Sequence, residues 1–105
     1  MQTIKEGSAA FLTFSFLDEL GVPVIPGTID WRLDDVSNAA EIIDWTPVVV
    51  PAASVTATIP GANNAIVNQA RVFENRVVTV RINVGQPNQG LQKKNYRIEN
   101  LHGAP

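Results

Sequence analysis

Residues able to do chemistry are few in this sequence, and their spacing is the first thing to test. Nucleophilic catalysis needs a base beside the nucleophile. The one histidine, His102, falls near the end of the given sequence, in a segment expected to be loosely ordered. None of the serines, Ser8, Ser15, Ser37 or Ser54, lies in a Gly-x-Ser-x-Gly elbow. There is no cysteine, which removes disulfides, thiolate metal sites and a cysteine nucleophile together and fits folding in a reducing cytoplasm.

Carboxylates come next. Asp30, Asp34 and Asp35 cluster in sequence, while Asp18, Glu19 and Asp44 fall in or near turns. No Asp-x-Asp-x-Asp-Gly calcium loop is present. The expectation is that Asp30 and Asp34 line a solvated strand face around Arg32 and pair across strands with arginines such as Arg81. An acid pair for glycoside hydrolysis would need a cleft that a domain this small seldom forms. Phosphate-cradling glycine motifs are absent. Lys93, Lys94 and Arg97 form a small basic cluster expected to guard a sheet edge. Trp45 suits either a sugar-stacking platform or a second core position, and the core position is the simpler expectation. The residues therefore predict no enzyme, no metal and no cofactor.

The elements that would position these residues follow from period-2 alternation. Phe11 to Leu17 places Leu12, Phe14 and Phe16 on one apolar face, and the turn-forming run 18–23 ends it. Thr28 to Asp35 places Ile29, Trp31 and Leu33 inward. A turn at Ser37-Asn38 leads to a short strand, Glu41 to Trp45. Ser54 to Pro60 turns Val55, Ala57 and Ile59 inward. Residues 62–73 have helical spacing in Ala62, Ile66, Ala70 and Phe73, with Asn63 as a capping residue, and predict a short helical crossover. Arg76 to Val84 is a long strand with Val78, Val80, Ile82 and Val84 inward. A turn at 85–90 precedes a last strand, about Gln92 to Leu101, carrying Tyr96 and Ile98. About seven strands in one domain spanning 1–105 predict an all-β fold, an immunoglobulin-like antiparallel β-sandwich whose core holds Leu12, Phe14, Trp31, Leu33, Val55, Ile59, Val78, Val80, Ile82 and Tyr96.

The chain of 105 residues is 45% hydrophobic but only 17% charged, below the roughly one quarter usual for soluble domains. Such a surface is more often partly covered than left bare. A net charge of −2 gives no electrostatic case for nucleic acid or an anionic membrane. No apolar run approaches the roughly 20 residues of a membrane span, and residues 1–7 lack the basic start and apolar run of a secretion signal. A soluble protein that does not use signal-peptide export is the expectation. Within Pro47 to Pro51, Val48, Val49 and Val50 cannot all face one core, because successive side chains of an extended strand point to opposite sides. The flanking prolines remove ladder donors and mark an edge or a connection. This stretch is the candidate partner interface.

Taken end to end, the sequence resembles small immunoglobulin-like proteins encoded beside virion genes of tailed bacteriophages. The resemblance is carried by Trp31-Arg32-Leu33-Asp34-Asp35, Asp44-Trp45-Thr46, Ser54-Val55-Thr56 with Ile59-Pro60, Glu74 to Val80, and Tyr96 to Leu101. It implies a non-enzymatic virion component: a capsid decoration, head–tail joint or tail protein. Its partners would be other virion proteins or further copies of itself, after synthesis in the host cytoplasm. It supplies no site residues. The alternative class is a β-sandwich module that binds carbohydrate or a host surface.

Overall fold

The computed structural model describes residues 2–68 and 70–100. Seven strands are present: β1 (Gln2–Lys5), β2 (Ala10–Ser15), β3 (Ile29–Asp35), β4 (Ala40–Pro47), β5 (Ser54–Ile59), β6 (Phe73–Ile82) and β7 (Gly90–Glu99). Five of them form one sheet in the order β1-β7-β6-β3-β4, and β2 and β5 form a second, two-stranded sheet.

The two sheets meet through the apolar halves of their alternating strands. Ala10, Leu12 and Phe14 of β2 and Ala57 and Ile59 of β5 pack with Ile29, Leu33, Val78, Val80, Tyr96 and Ile98 of the large sheet, all buried. Phe16 and Ile66 complete this cluster. The opposite face of the small sheet is exposed and, apart from Phe11, polar, and the hydroxyls of Thr13 and Thr56 meet across it at 3.0 Å. Of the ten residues expected in the core, Trp31, Val55 and Ile82 are only half-buried at its margin. Two strands are too few to roof five, and no residue of the edge strand β4 is fully buried. Val84, also expected inside, lies beyond β6 and is exposed.

The expected immunoglobulin-like antiparallel sandwich with a helical crossover is overturned in three respects. The sheets divide five and two, whereas the immunoglobulin arrangement divides seven strands four and three. Topology is mixed, because β1 pairs in parallel with β7, Gln2 opposite Tyr96 and Lys5 opposite Glu99. And no helical crossover spans 62–73: among the described residues there, a single 3₁₀ turn forms, at Gly61–Asn64. Of the four residues with helical spacing only Ile66 is buried.

The reason is visible in where the backbone groups of that segment go. Glu74 accepts the N–H groups of Val67 and Asn68 at 2.7 and 3.0 Å. Arg76 donates to the carbonyls of Asn63 and Ala65 at 2.8 and 3.0 Å. Side chains from β6 thus satisfy the groups a helix would satisfy internally. A Cβ on Gly61 would also collide with the carbonyl oxygen of Gly7, so the 3₁₀ turn is seated against the β1–β2 connection.

Candidate functional site

Strand directions place the loops at two ends. The loop 16–28, the β4–β5 connection (48–53) and the β6–β7 turn (83–89) lie at the end where Ile29 opposes Ile82. The β1–β2 and β3–β4 turns and residues 60–68 and 70–72 lie at the other.

The first end is built rigidly from local hydrogen bonds. Asp18 Oδ1 accepts the N–H groups of Leu20 and Val22 at 2.9 and 3.0 Å, and this ring of bonds holds a tight hairpin beyond β2. Phe16 then joins two neighbours: its N–H donates to the carbonyl of Ala53, and its carbonyl accepts from Val24. Asn83, at a positive φ of 53° that asparagine tolerates, accepts from the Gly27 N–H at 2.7 Å and ties the loop to the β6–β7 turn.

Onto this frame the sequence places large apolar side chains that no neighbour covers. Leu20 is 88% exposed, Val49 91% and Val50 76%, with Leu17, Val22, Val24, Ile25 and Val84 also exposed. An open cleft of about 580 Å³ runs between the hairpin and the turn, lined by Leu17, Asp18, Glu19, Leu20, Val24, Ile25, Pro26, Gly27, Ile82, Asn83 and Asn88. Across the three segments 16–28, 46–54 and 82–90 the charged residues are Asp18 and Glu19, with no lysine or arginine. The face is apolar and negative.

Of the three candidate interface valines, Val48 packs against the core and donates its N–H to the Ile29 carbonyl at 2.8 Å. Val49 and Val50 stand out into solvent at the bend after β4. The hydrophobic residues of the 17–25 hairpin join them at the same end. A signal for these existed, since Leu20, Val22, Val24 and Ile25 fall in a run rich in turn residues, where an apolar side chain has no long strand face to enter.

The acidic candidates separate. Arg32 grips Asp34 in a two-point contact at 2.8 and 3.0 Å and reaches Glu41 at 3.1 Å. The bond to Asp34 is the largest of the influences that raise the Arg32 pKa, and the carboxylates of Asp34, Glu41 and Asp44 add to it. Asp30 pairs with Arg81 at 3.4 Å, and the Arg81 guanidinium lies 3.9 Å from the centroid of the Trp45 ring. Trp45 is therefore half-buried on the outer face of the large sheet instead of in the core, with an arginine on its ring.

Asp35 turns the other way. It is buried, opposite Arg76 in the β3–β6 register, with Oδ2 3.5 Å from Arg76 Nε. Glu74 stands 3.4 Å from the same guanidinium, and Asn38 donates to both acids at 2.7 Å. Tyr96 donates to Asn64 Oδ1 at 2.7 Å in the same interior. Sequence reasoning missed this cluster, although alternation contained it. Glu74 and Arg76 share parity with Val78 and Val80, and Asp35 shares it with Leu33.

Burial, the largest influence on Glu74, pushes its carboxyl upward, but bonds from Asn38, Val67, Asn68 and Arg76 together hold it below the ordinary value. Burial pushes the Tyr96 phenol up to about 12.

Lys93, Lys94 and Arg97 sit on β7, which β1 covers only from Tyr96 to Glu99, so among the described residues Lys93 and Lys94 lie on a locally open edge while Arg97 lies between two strands. Lys94 does guard an edge, that of β2, because its ammonium donates to the Thr13 carbonyl, and Gln92 reaches the Ser15 carbonyl at 3.1 Å. Ser37 Oγ accepts from the Asn75 N–H at 2.9 Å. His102 lies outside the described residues. Among the described residues no group of three or more metal-ligating side chains converges, and no helix is long and apolar enough to cross a membrane.

No protein-family model matches this chain, and no curated protein and no solved structure matches it either.

Proposed function

We propose that this protein is a non-enzymatic structural accessory of a tailed-phage particle, acting through protein–protein contacts made by its apolar end. The observation that carries the reading is the concentration of Leu17, Leu20, Val22, Val24, Ile25, Val49 and Val50, all exposed, on one hydrogen-bonded end. Exposed apolar residues scattered singly need no explanation, but gathered on one rigid surface they mark an interaction site. A chain only 17% charged has little polar surface to spare for such a face. The particle context rests on the sequence resemblance, and the docking surface rests on the geometry. Mass spectrometry of purified particles tests the first. Incorporation of Leu20→Asp and Val49→Asp variants tests the second: both are expected to fold and to be excluded from particles, and normal incorporation of both would remove the face from consideration.

A carbohydrate platform at Trp45 has less support, because Arg81 occupies its ring at 3.9 Å.

A further inference from the structure

We infer that the free edge of β5 receives an extended segment of a partner protein, which joins the small sheet as its third strand. This site is separate from the apolar end, and the inference does not rest on the particle reading above.

The groups that would hold such a segment are fixed by register. Thr13 stands opposite Thr56 and Phe14 opposite Val55. Beyond β2 the same alignment continues, since the Phe16 N–H donates to the Ala53 carbonyl. Opposite residues of an antiparallel pair exchange both hydrogen bonds or neither, in alternation. Val55, Ala57 and Ile59 are therefore bonded to β2, while Ser54, Thr56 and Thr58 direct their N–H and C=O groups away from it. No group among the described residues meets them. Donors and acceptors repeating about every 6.8 Å along one edge match the backbone of another extended chain.

The other edges are guarded. Lys94 and Gln92 occupy carbonyls on the outer edge of β2. The open part of β7 carries Lys93 and Lys94, and β1 is only four residues long. β4 breaks register with β3 and bears the exposed Glu41 and Asp44. Charges, short strands and irregularities are the ordinary means of keeping an edge from templating another strand. β5 has none of them: Ser54–Ile59 holds its register without a shift and contains no charge and no proline.

The side-chain pattern of the occupant follows from where β5 lies. Gln92 reaches Ser15 and Lys94 reaches Thr13, so β2 and β7 run in line, with β7 on the side of β2 away from β5. In the order β1-β7-β6-β3-β4, β5 then lies toward β3 and β4, and the short connection 48–53 joins it to β4. On that side Trp31, Ile43 and Val55 are only half-buried at the core margin, and no residue of β4 is fully buried. A strand added to β5 would set alternate side chains over these. Its inward positions are therefore apolar, and its outward positions continue the hydroxyl row of Ser54, Thr56 and Thr58. A second copy does not fit as the occupant, because its β5 would bring its own β3 and β4 into the space that the first copy's β3 and β4 fill.

Amide hydrogen exchange of the full chain, read by NMR, tests this with a peptide of alternating threonine and valine and a lysine at each end as the probe. In the free protein the amides of Ser54, Thr56 and Thr58 should exchange fast and those of Val55, Ala57 and Ile59 slowly. The peptide, added up to about 1 mM, should slow the first three, and the same peptide with proline at its central position should not. Thr56→Pro removes only an outward N–H, at an edge position where proline is tolerated. With its folding checked by circular dichroism, it should weaken peptide binding at least about tenfold. Thr58→Pro is held in reserve if Thr56→Pro does not fold. No slowing at the highest peptide concentration overturns the inference, as does slowing at Leu91, Lys93 and Asn95 of β7 instead, or a folded Thr56→Pro that binds as the wild type does. Slowing of Ser54, Thr56 and Thr58 that grows with protein concentration in the absence of peptide assigns the edge to a second copy and overturns the partner strand.

Discussion

Arg76 has no access to solvent, yet its guanidinium faces two carboxylates and donates to two backbone carbonyls. Desolvating such a set costs several kcal/mol per ion, and the group is tolerable only when every partner is in place. Removing one member is therefore worse than never having had the set. Arg76→Met should lose on the order of 3–5 kcal/mol in urea unfolding, because Asp35 and Glu74 are left facing each other unneutralised. Arg76→Lys should recover little of that, since a single ammonium cannot reach both carbonyls and both acids as the planar fork does. The acid limb of stability reports on Glu74. Its carboxyl is held below the ordinary value of 4.5 in the folded chain, so the unfolded chain takes up its proton first as pH falls. That contribution is complete above about pH 4.5 and is lost below it. Glu74→Gln should be less stable at neutral pH and should also lose stability less steeply on acidification. Tyr96 acts at the other limit: with its phenol raised to about 12, stability should fall as pH climbs past about 10, where the unfolded chain ionises first.

Strand positions were legible in the sequence because burial on one side writes itself as alternation. Phe14, Leu33, Val78 and Tyr96 all fall where period 2 puts them. What alternation cannot reveal is how many strands lie overhead. Trp31 shares its parity with the buried Ile29 and Leu33 but is half-buried at the margin of the core, beside a register shift in the β3–β4 pairing. Phe14→Ala should accordingly cost about 3–5 kcal/mol and Trp31→Ala distinctly less, a ranking that thermal melts of the two variants would check. The strand β1 was missed because four residues carry too little pattern, and its burial is slight. The segment 62–73 misled for a different reason. Its apolar spacing was real, but its backbone partners come from Glu74 and Arg76, residues outside the window in which a helix is judged. The site was half legible. Consecutive valines between prolines announced that Val49, or else Val48 and Val50, must face outward, whereas the hairpin around Leu20 gains its meaning only once folding brings it to the same end.

Across the whole molecule, the interior that holds the fold together and the surface proposed to bind partners are spatially distinct. Leu20 and Val49 stand almost wholly outside the protein, so Leu20→Asp and Val49→Asp should change unfolding free energy by no more than about 0.5 kcal/mol while excluding the protein from particles; unfolding curves measured beside the incorporation assays would separate the two effects. The parallel pairing of β1 with β7 carries a consequence of another kind. Gln2 meets Tyr96 across 94 steps of chain, so this edge of the sheet forms only by closing a very long loop. During synthesis β1 emerges early and must wait, unpaired, until residues 96–99 have left the ribosome. Non-local closures of this sort are slow, which places refolding in the range of milliseconds to seconds. The amides of β1 should then be the last in the sheet to gain protection from hydrogen exchange.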